Sequence, residues 1–317
     1  MRPLFPWLGG ATPAGPMIWE RLGVVHSLTV PFAGALGEVC ACPDNIWRQI
    51  SCVTLNDAEP NLANVFRSIW TDADSVVGVI QERFHPLSES DLHASRAEVR
   101  RRVADLRKTL EEDIHFCDIE LAAIWMAAFS AWIGTYTNFL SSSSRQKPAV
   151  SSPGRGVFAT SRDLLANARE LKERLSLHPA WILCQDWTAA MTDAVIWRSR
   201  KSGGGPVGVA GIIVDPPYAG HEDIYPDAYA GIAAEVRQRL RVLGANANVR
   251  AVISGFDDEH DDLLKDGWTK LEHTAGSGYS STGKDPNRNQ SRHRVWFSPF
   301  CLQSVAEGPL FKRGTPA

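Results

Sequence analysis

The sequence predicts an α/β fold in which a mainly parallel sheet carries helices on both faces and is interrupted by an inserted, mainly helical region. Three observations predict it. Short apolar segments alternate with amphipathic stretches of helical period in both the first and the last parts of the chain. Between about 71 and 160 this alternation gives way to long helical patterns and a polar loop. Three strand candidates run into an acid, at Asp57, Asp186 and Asp215, and in parallel sheets ligands bind beyond the carboxyl ends of strands.

Taken in order, "SLTVPF" (27–32) is a short buried strand and "ISCVTLND" (50–57) a second, closing on Asp57. "EPNLANVFRSIW" (59–70) has helical spacing, with Pro60 at the start, where its missing N–H costs nothing. "SRAEVRRRVADLRKTLEED" (95–113) is a charged amphipathic helix. "CDIELAAIWMAAFSAWIGTYTNF" (117–139) reads as one long apolar helix ending near Gly134, with Trp125, Phe129 and Trp132 as packing residues. "AWILCQD" (180–186), "GVAGIIVD" (208–215) and "NVRAVISGF" (248–256) are further strands. "PDAYAGIAAEVRQRLRVLG" (226–244) is an amphipathic helix stopped by Gly244. The expected division is a core of residues 1–70 and 157–317 around an inserted helical region of 71–156.

Length and composition bound the function. At 317 residues, with 44% hydrophobic and 22% charged, the chain has ordinary globular composition. No run approaches the roughly 18 apolar residues of a membrane span, and "MRPLFPWLGG" lacks the layout of a signal peptide. The six cysteines are scattered, "CAC" is not a CxxC pair, and no His/Cys cluster has zinc spacing. Reduced thiols in a cytoplasmic protein are therefore expected, and separately a monomer without a metal. His85, His93, His260 and His273 have neither a nucleophile partner nor metal spacing. The net charge of −3 argues against nucleic-acid binding by bulk charge. Three loops are locally basic: "SSSSRQKPAVSSPGRG" (141–156) carries Arg145, Lys147 and Arg155, "KDPNRNQSRHR" spans 284–294, and "WRSRK" spans 197–201. Each alone reads as a solvated loop; together they form a candidate phosphate-contacting surface.

The sharpest chemistry lies in "GVAGIIVDPPYAG". An amino group conjugated to a heteroaromatic ring is a poor nucleophile, because its lone pair is delocalised. Two acceptors aimed at its hydrogens favour a more pyramidal nitrogen. Asp215 offers a carboxylate and Pro216 a carbonyl, while Pro216 and Pro217 stiffen the backbone and remove two N–H donors. Tyr218 offers a flat surface for a base taken out of its stack. Such preorganised acceptors stabilise the positive charge that builds on nitrogen during methyl transfer. The plainer reading is a strand ending in a Pro-Pro turn.

Read with its partners, the stretch resembles the Dam-type adenine-specific DNA methyltransferases, particularly their phage-encoded branch. "PLFPWLGG" is similar to the family's N-terminal segment, "VPFAGALGEV" (30–39) to its Pro-Phe-Ala-Gly loop, and "VTLNDAEPNLANVFRSIW" (53–70) to its second strand with Asn-Asp. "LCQDW" (183–187) resembles its Asp-aromatic pair and "VDPPYAG" its catalytic motif, in family order; "HPLSESDLHASR", "AAFSAWIGTYTNF", "RQKPAVSSPGRGV" and "WFSPFCL" are similar as well.

The resemblance implies a Rossmann-like class I methyltransferase sheet, S-adenosylmethionine as methyl donor, double-stranded DNA as partner, and helical residues 71–156 as the target-recognition region. It implies a cofactor site of Trp7, Gly9, Gly10 and Ala11, the loop Pro31, Phe32, Ala33 and Gly34, then Asp57 for the ribose, Asp186 with Trp187 for the adenine, and Asp215. Asp215, Pro216, Pro217 and Tyr218 would hold the target base, and Arg145, Lys147 and Arg155 would contact DNA. Helix N-capping is the plainer role for both Asp57 and Asp186. One departure stands out: the family continues Gly-Gly-Lys where this chain has Ala11. Without the charge-assisted bond of that lysine, binding is weaker by about 1.5–3 kcal/mol unless a residue such as Arg2 replaces it.

The expected function is transfer of a methyl group from S-adenosylmethionine to the exocyclic amino nitrogen of a flipped-out adenine, by direct displacement. No cysteine lies in a Pro-Cys loop of the kind used for ring-carbon methylation. Cytosine amino methylation, a catalytically weak DNA-binding relative, and action on RNA or free nucleotides are the alternatives.

Overall fold

The structure, a computed structural model, describes residues 1–7, 12–150, 156–159, 163–198, 208–218, 231–272 and 292–303. From the N-terminus, α1 (Gly15–Leu22) leads into β1 (Ser27–Val30), and two short helices, α2 (Gly37–Cys40) and α3 (Asp44–Trp47), precede β2 (Cys52–Asn56). A run of helices then intervenes: α4 (Pro60–Phe84), α5 (Glu89–Glu112), α6 (Ile119–Ser130), α7 (Tyr136–Leu140) and α8 (Leu164–Ser176). The chain returns to the sheet with β3 (Ala180–Leu183), passes α9 (Trp187–Ala190) and α10 (Asp193–Ile196), and forms β4 (Ala210–Val214). Helix α11 (Ile232–Gly244), β5 (Val249–Phe256), β6 (Thr269–Glu272) and β7 (His293–Phe297) complete the described α-helices and strands.

The strands lie in the order β3-β2-β1-β4-β5-β7-β6. β1 to β5 pair in parallel, while β7 runs antiparallel to both β5 and β6. β1, β2 and β4 are buried along their whole length, as expected of parallel strands covered on both sides. The two-residue period sorts the core. Ile213, Val252, Val295 and Phe297 join the apolar cluster containing α1 and α4–α8, whereas Ile212, Val214, Ala251, Ile253 and Trp296 join the one with α9–α11. Helices therefore cover both faces, and alternate residues of one strand serve different layers.

The helical stretch shares the sheet's first core: α4 packs on α6, α8 and β3. The expected boundary at 70/71 falls inside α4, beside Asp72, whose backbone is not helical (φ −150°, ψ 86°). The cause is local. Asp72 accepts from Ser75 N at 3.1 Å and Ser75 Oγ at 2.6 Å, capping the second half of the helix as a fresh start. Buried Arg67, on the first half, donates to the carbonyls of Ile182, Asp113, Phe116 and Leu110, tying β3 to the end of α5. Burial lowers its guanidinium's pKa, and four acceptors offset the desolvation.

The single helix expected over 117–139 is instead two. Gly134 (φ 139°) lets the chain turn after α6, and the Thr135 hydroxyl accepts from Asn138 N at 3.1 Å to start α7. The backbone N–H of Asn138 is engaged in that cap, and its carbonyl accepts from Arg96. The six cysteines are free. Burial pushes the thiols of Cys40, Cys42 and Cys184 up to about 12, far from thiolate chemistry at neutral pH. Among the described residues no helix is long and apolar enough to cross a membrane, and no group of three or more His, Cys, Asp or Glu is placed to hold a metal ion.

Candidate functional site

The strand order turns the expected residues into neighbours. Pro31–Gly34 follow β1, Asp57 follows β2, Asp186 lies three residues past β3, and Asp215 follows β4, all at carboxyl ends of adjacent parallel strands. β2 and β3 extend the sheet to one side of β1 and β4 and β5 to the other, so the crevice between β1 and β4 is its topological switch point.

Asn56 fixes the geometry of three of these ends. Its Nδ2 donates to Pro31 O and to Gln185 O, each at 3.0 Å, and its Oδ1 accepts from Gln185 N at 3.2 Å. Its backbone carbonyl also accepts from Ala33 N at 2.8 Å. One buried amide thus sets the loop after β1 against the turn after β3. The sequence shows Asn56 only as half of an Asn-Asp pair. An amide at the end of an apolar strand was the available signal.

Asp57 fastens the same loop. Its Oδ2 accepts from Gly34 N and its Oδ1 from Glu59 N, both at 2.9 Å. The second bond is an Asx-type turn; the cap of α4 is Glu59, whose Oε1 accepts from Asn61 N at 3.1 Å. The N-capping role considered for Asp57 therefore belongs to Glu59. Burial pushes the Asp57 carboxyl up to about 6, against the lowering effect of the bonds from Glu59 and Gly34. Burial likewise raises Glu59, opposed by hydrogen bonds from Tyr136 and Asn61. Gly34 adopts φ 47°, and a Cβ there would meet Trp7 Cδ1 at 2.8 Å. Only glycine permits both that conformation and that approach. Trp7 in turn lies against Phe129 and Tyr136, both with centroids 5.5 Å away. The N-terminal segment thereby joins the helical layer to the loop after β1.

Asp186 is a helix cap, the plainer of its two expected roles: its Oδ1 accepts from Thr188 N at 2.9 Å and Thr188 Oγ1 at 2.5 Å. The cap leaves it exposed at the rim and seats buried Trp187 in a stack with Phe32, centroids 6.4 Å apart and planes 25° apart.

Asp215 is half-buried and is followed by the buried pair Pro216 and Pro217. Its Oδ1 accepts from the Tyr218 hydroxyl at 2.5 Å, and Tyr218 Oη lies 3.1 Å from His293 Nε2. Tyr218 is only 4% exposed and meets Phe256 edge to face, centroids 4.5 Å apart. The ring expected as a stacking platform is buried here. The ring is spent on packing and its hydroxyl on Asp215. Neither Phe256 nor His293 stands out in the sequence, where His293 lies inside a basic run.

Of the basic candidates, Arg145 and Lys147 are exposed. Their loop is anchored by buried Arg96, which donates to the carbonyls of Phe139, Ser144, Asn138 and Ser141 and lies 3.9 Å over the Trp132 ring. Arg100 and Arg145 add positive potential around it, and Arg96 is lowered to about 10, mainly by burial. The other two basic runs are partly structural. Arg198 stacks over Trp181, Arg292 pairs with Asp257 at 2.6 Å and Arg294 with Glu272 at 3.4 Å. Gly9, Gly10, Ala11 and Arg155 lie outside the described residues. Arg2 is tied to α8 through its backbone, which bonds Asn167 at both N and O. A cavity of about 540 Å³ beside Phe84, His85 and Phe158 contains none of the strand-end residues. No family model and no curated protein matches the chain.

Proposed function

We propose that the chain is an S-adenosylmethionine-dependent DNA methyltransferase acting on the exocyclic amino nitrogen of adenine. One observation carries the reading: the loop Pro31–Gly34 and the Asp215–Pro217 turn face the same switch-point crevice from β1 and β4. That is where a doubly wound sheet binds ligands, and it brings the motif for holding an amino group beside the loop for holding a donor. The seven-strand order with antiparallel β7 supports a class I methyltransferase sheet, and α4–α7, packed on one face, supply the region for target recognition.

The residues fit such a donor. Glycine at 34 lets Trp7 lie directly against the backbone of the loop. Asp57 retains acceptor capacity for ribose hydroxyls beyond its two backbone bonds, since each carboxylate oxygen carries two lone pairs. Phe32 and Trp187 supply aromatic walls beside Asp186. When bound, S-adenosylmethionine supplies an electrophilic methyl group on its sulfonium. Asp215 and the Pro216 carbonyl accept the two amino hydrogens, orient the nitrogen lone pair toward the donor, and stabilise the charge that develops there. Proline at 216 and 217 keeps these acceptors from relaxing.

Two consequences follow for binding. Asp57 titrates near 6 instead of 3.8, so ribose recognition by the ionised carboxylate weakens as pH falls through 6. Donor affinity should drop by up to about tenfold per pH unit below that point. Calorimetry from pH 5 to 7 tests this; a flat profile counts against Asp57 as the ribose acceptor, and Asp57→Asn should remove the dependence. For DNA, the double variant Arg145→Ala/Lys147→Ala should bind duplex more weakly. Its log Kd against log salt should flatten by about 0.9 for each phosphate that is no longer neutralised. An unchanged slope removes both residues from the interface.

The function itself is tested by incubating the protein with duplex DNA and methyl-labelled donor, then digesting to nucleosides. Label on the adenine amino group is expected. Label on cytosine, or transfer to RNA or free nucleotides in preference to duplex, overturns the assignment.

A further inference from the structure

We infer that His293, acting through Tyr218, is a positioning residue for Asp215. The inference deepens the proposed reaction and rests on Asp215 as its amino-group acceptor. It begins with the sheet. β7 enters antiparallel beside β5, and the register pairs His293 directly with Phe256. Cross-strand partners place their side chains on one face, and the two rings are 6.4 Å apart. Tyr218 lies against both, with its ring on Phe256 at 4.5 Å and its hydroxyl at His293 Nε2. A one-residue slip of β7 would turn His293 to the opposite face.

Counting hydrogens fixes the direction of the chain. A phenol has one proton, and an ionised carboxylate can only accept. With Tyr218 Oη donating to Asp215 Oδ1 at 2.5 Å, the 3.1 Å contact requires His293 Nε2–H to donate to Tyr218 Oη. The order is then His293 Nε2–H to Tyr218 Oη–H to Asp215 Oδ1, and each bond polarises the next. His293 is 3% and Tyr218 4% exposed, so water competes little for these bonds. The phenol hydrogen bond restrains the plane of the carboxylate. A carboxylate so held meets the nitrogen in one orientation, which is what a preorganised acceptor needs.

The test has two arms on the full-length protein. Without DNA or donor, nitrogen NMR of histidine-labelled protein, assigned by loss of the signal in His293→Gln, should show His293 protonated at Nε2. An unprotonated Nε2 overturns the chain. In methyl-transfer kinetics, His293→Leu should lower kcat about tenfold with both KM values within about twofold, as expected for loss of a bond made to the reacting machinery. His293→Gln, whose Nε2 can still donate, should recover most of the rate. Tyr218→Phe should lose at least as much as His293→Leu, and the double variant should be no worse than Tyr218→Phe alone. Unchanged kcat in His293→Leu, additive losses, or a lowered DNA KM in either single variant would overturn the inference. The last result would mean that Tyr218 blocks the carboxylate instead of orienting it. A wild-type protein that transfers no methyl group defeats the proposed function, while the NMR arm still decides the hydrogen-bond chain separately.

Discussion

Replacing Asp215 with alanine is expected to lower methyl transfer by about 100- to 1,000-fold while leaving the fold in place. The side chain sits past the end of β4, outside the apolar clusters on either face of the sheet. The strand itself is secured by Ile212, Ile213 and Val214, so truncation at 215 leaves its core packing intact. What disappears is a fixed acceptor at the crevice. A bound amino group would then keep its lone pair in the ring, with only the Pro216 carbonyl to draw on its hydrogens. The check is a single-turnover rate with saturating donor and DNA, alongside a thermal melt. A near-wild-type rate would remove Asp215 from the chemistry. Asp215→Asn should also be impaired, because an amide directs N–H groups as well as an oxygen and carries no negative charge.

The second large effect belongs to Asp57→Ala. It should raise the KM for the methyl donor by about 10- to 100-fold, with a smaller change in kcat. Two losses add. The ribose loses a charged acceptor, and the Gly34 N–H loses the carboxylate that holds its loop at 2.9 Å. Asp57→Asn separates them, because an amide oxygen can still accept from Gly34 but carries no charge. An intermediate KM for Asp57→Asn supports both contributions, and equality with wild type would assign Asp57 a purely structural role. Measurements belong at pH 7 or above, where the carboxyl that titrates near 6 is ionised.

The parts legible in the sequence are those whose signal is local. β1, β2 and β4 are mainly apolar because both faces are covered, and the ends of β2 and β4 are marked by an amide or an acid that an apolar strand would otherwise exclude. The Asp residues after β2, β3 and β4 are therefore readable as site candidates from the sequence alone. β6 and β7 are not. β6, "TKLE", is a half-exposed edge strand without an apolar run, and β7 begins inside "SRHR", which reads as a basic loop. The stretch 117–139 reads as one helix because apolar periodicity continues across Gly134, while the backbone does not. Asn56, Glu59 and His293 depend on pairings between remote segments: Asn56 with Gln185, Glu59 with Tyr136, and His293 opposite Phe256. Such register relations leave no periodic trace. Tyr218 is legible as a member of the motif but not as a buried one, because its contacts with Phe256 and His293 come from remote strands.

The proposed reaction depends on where the amino group of an extruded base comes to rest. A crystal structure of the protein with duplex DNA and a non-transferable donor analogue measures that directly. The expected result is adenine outside the helix, its amino nitrogen within hydrogen-bonding distance of Asp215 and of the Pro216 carbonyl, with the donor lying along Gly34 and Asp57. A base held elsewhere, or an Asp215 carboxylate turned away from the amino group with the donor in the crevice, would contradict it.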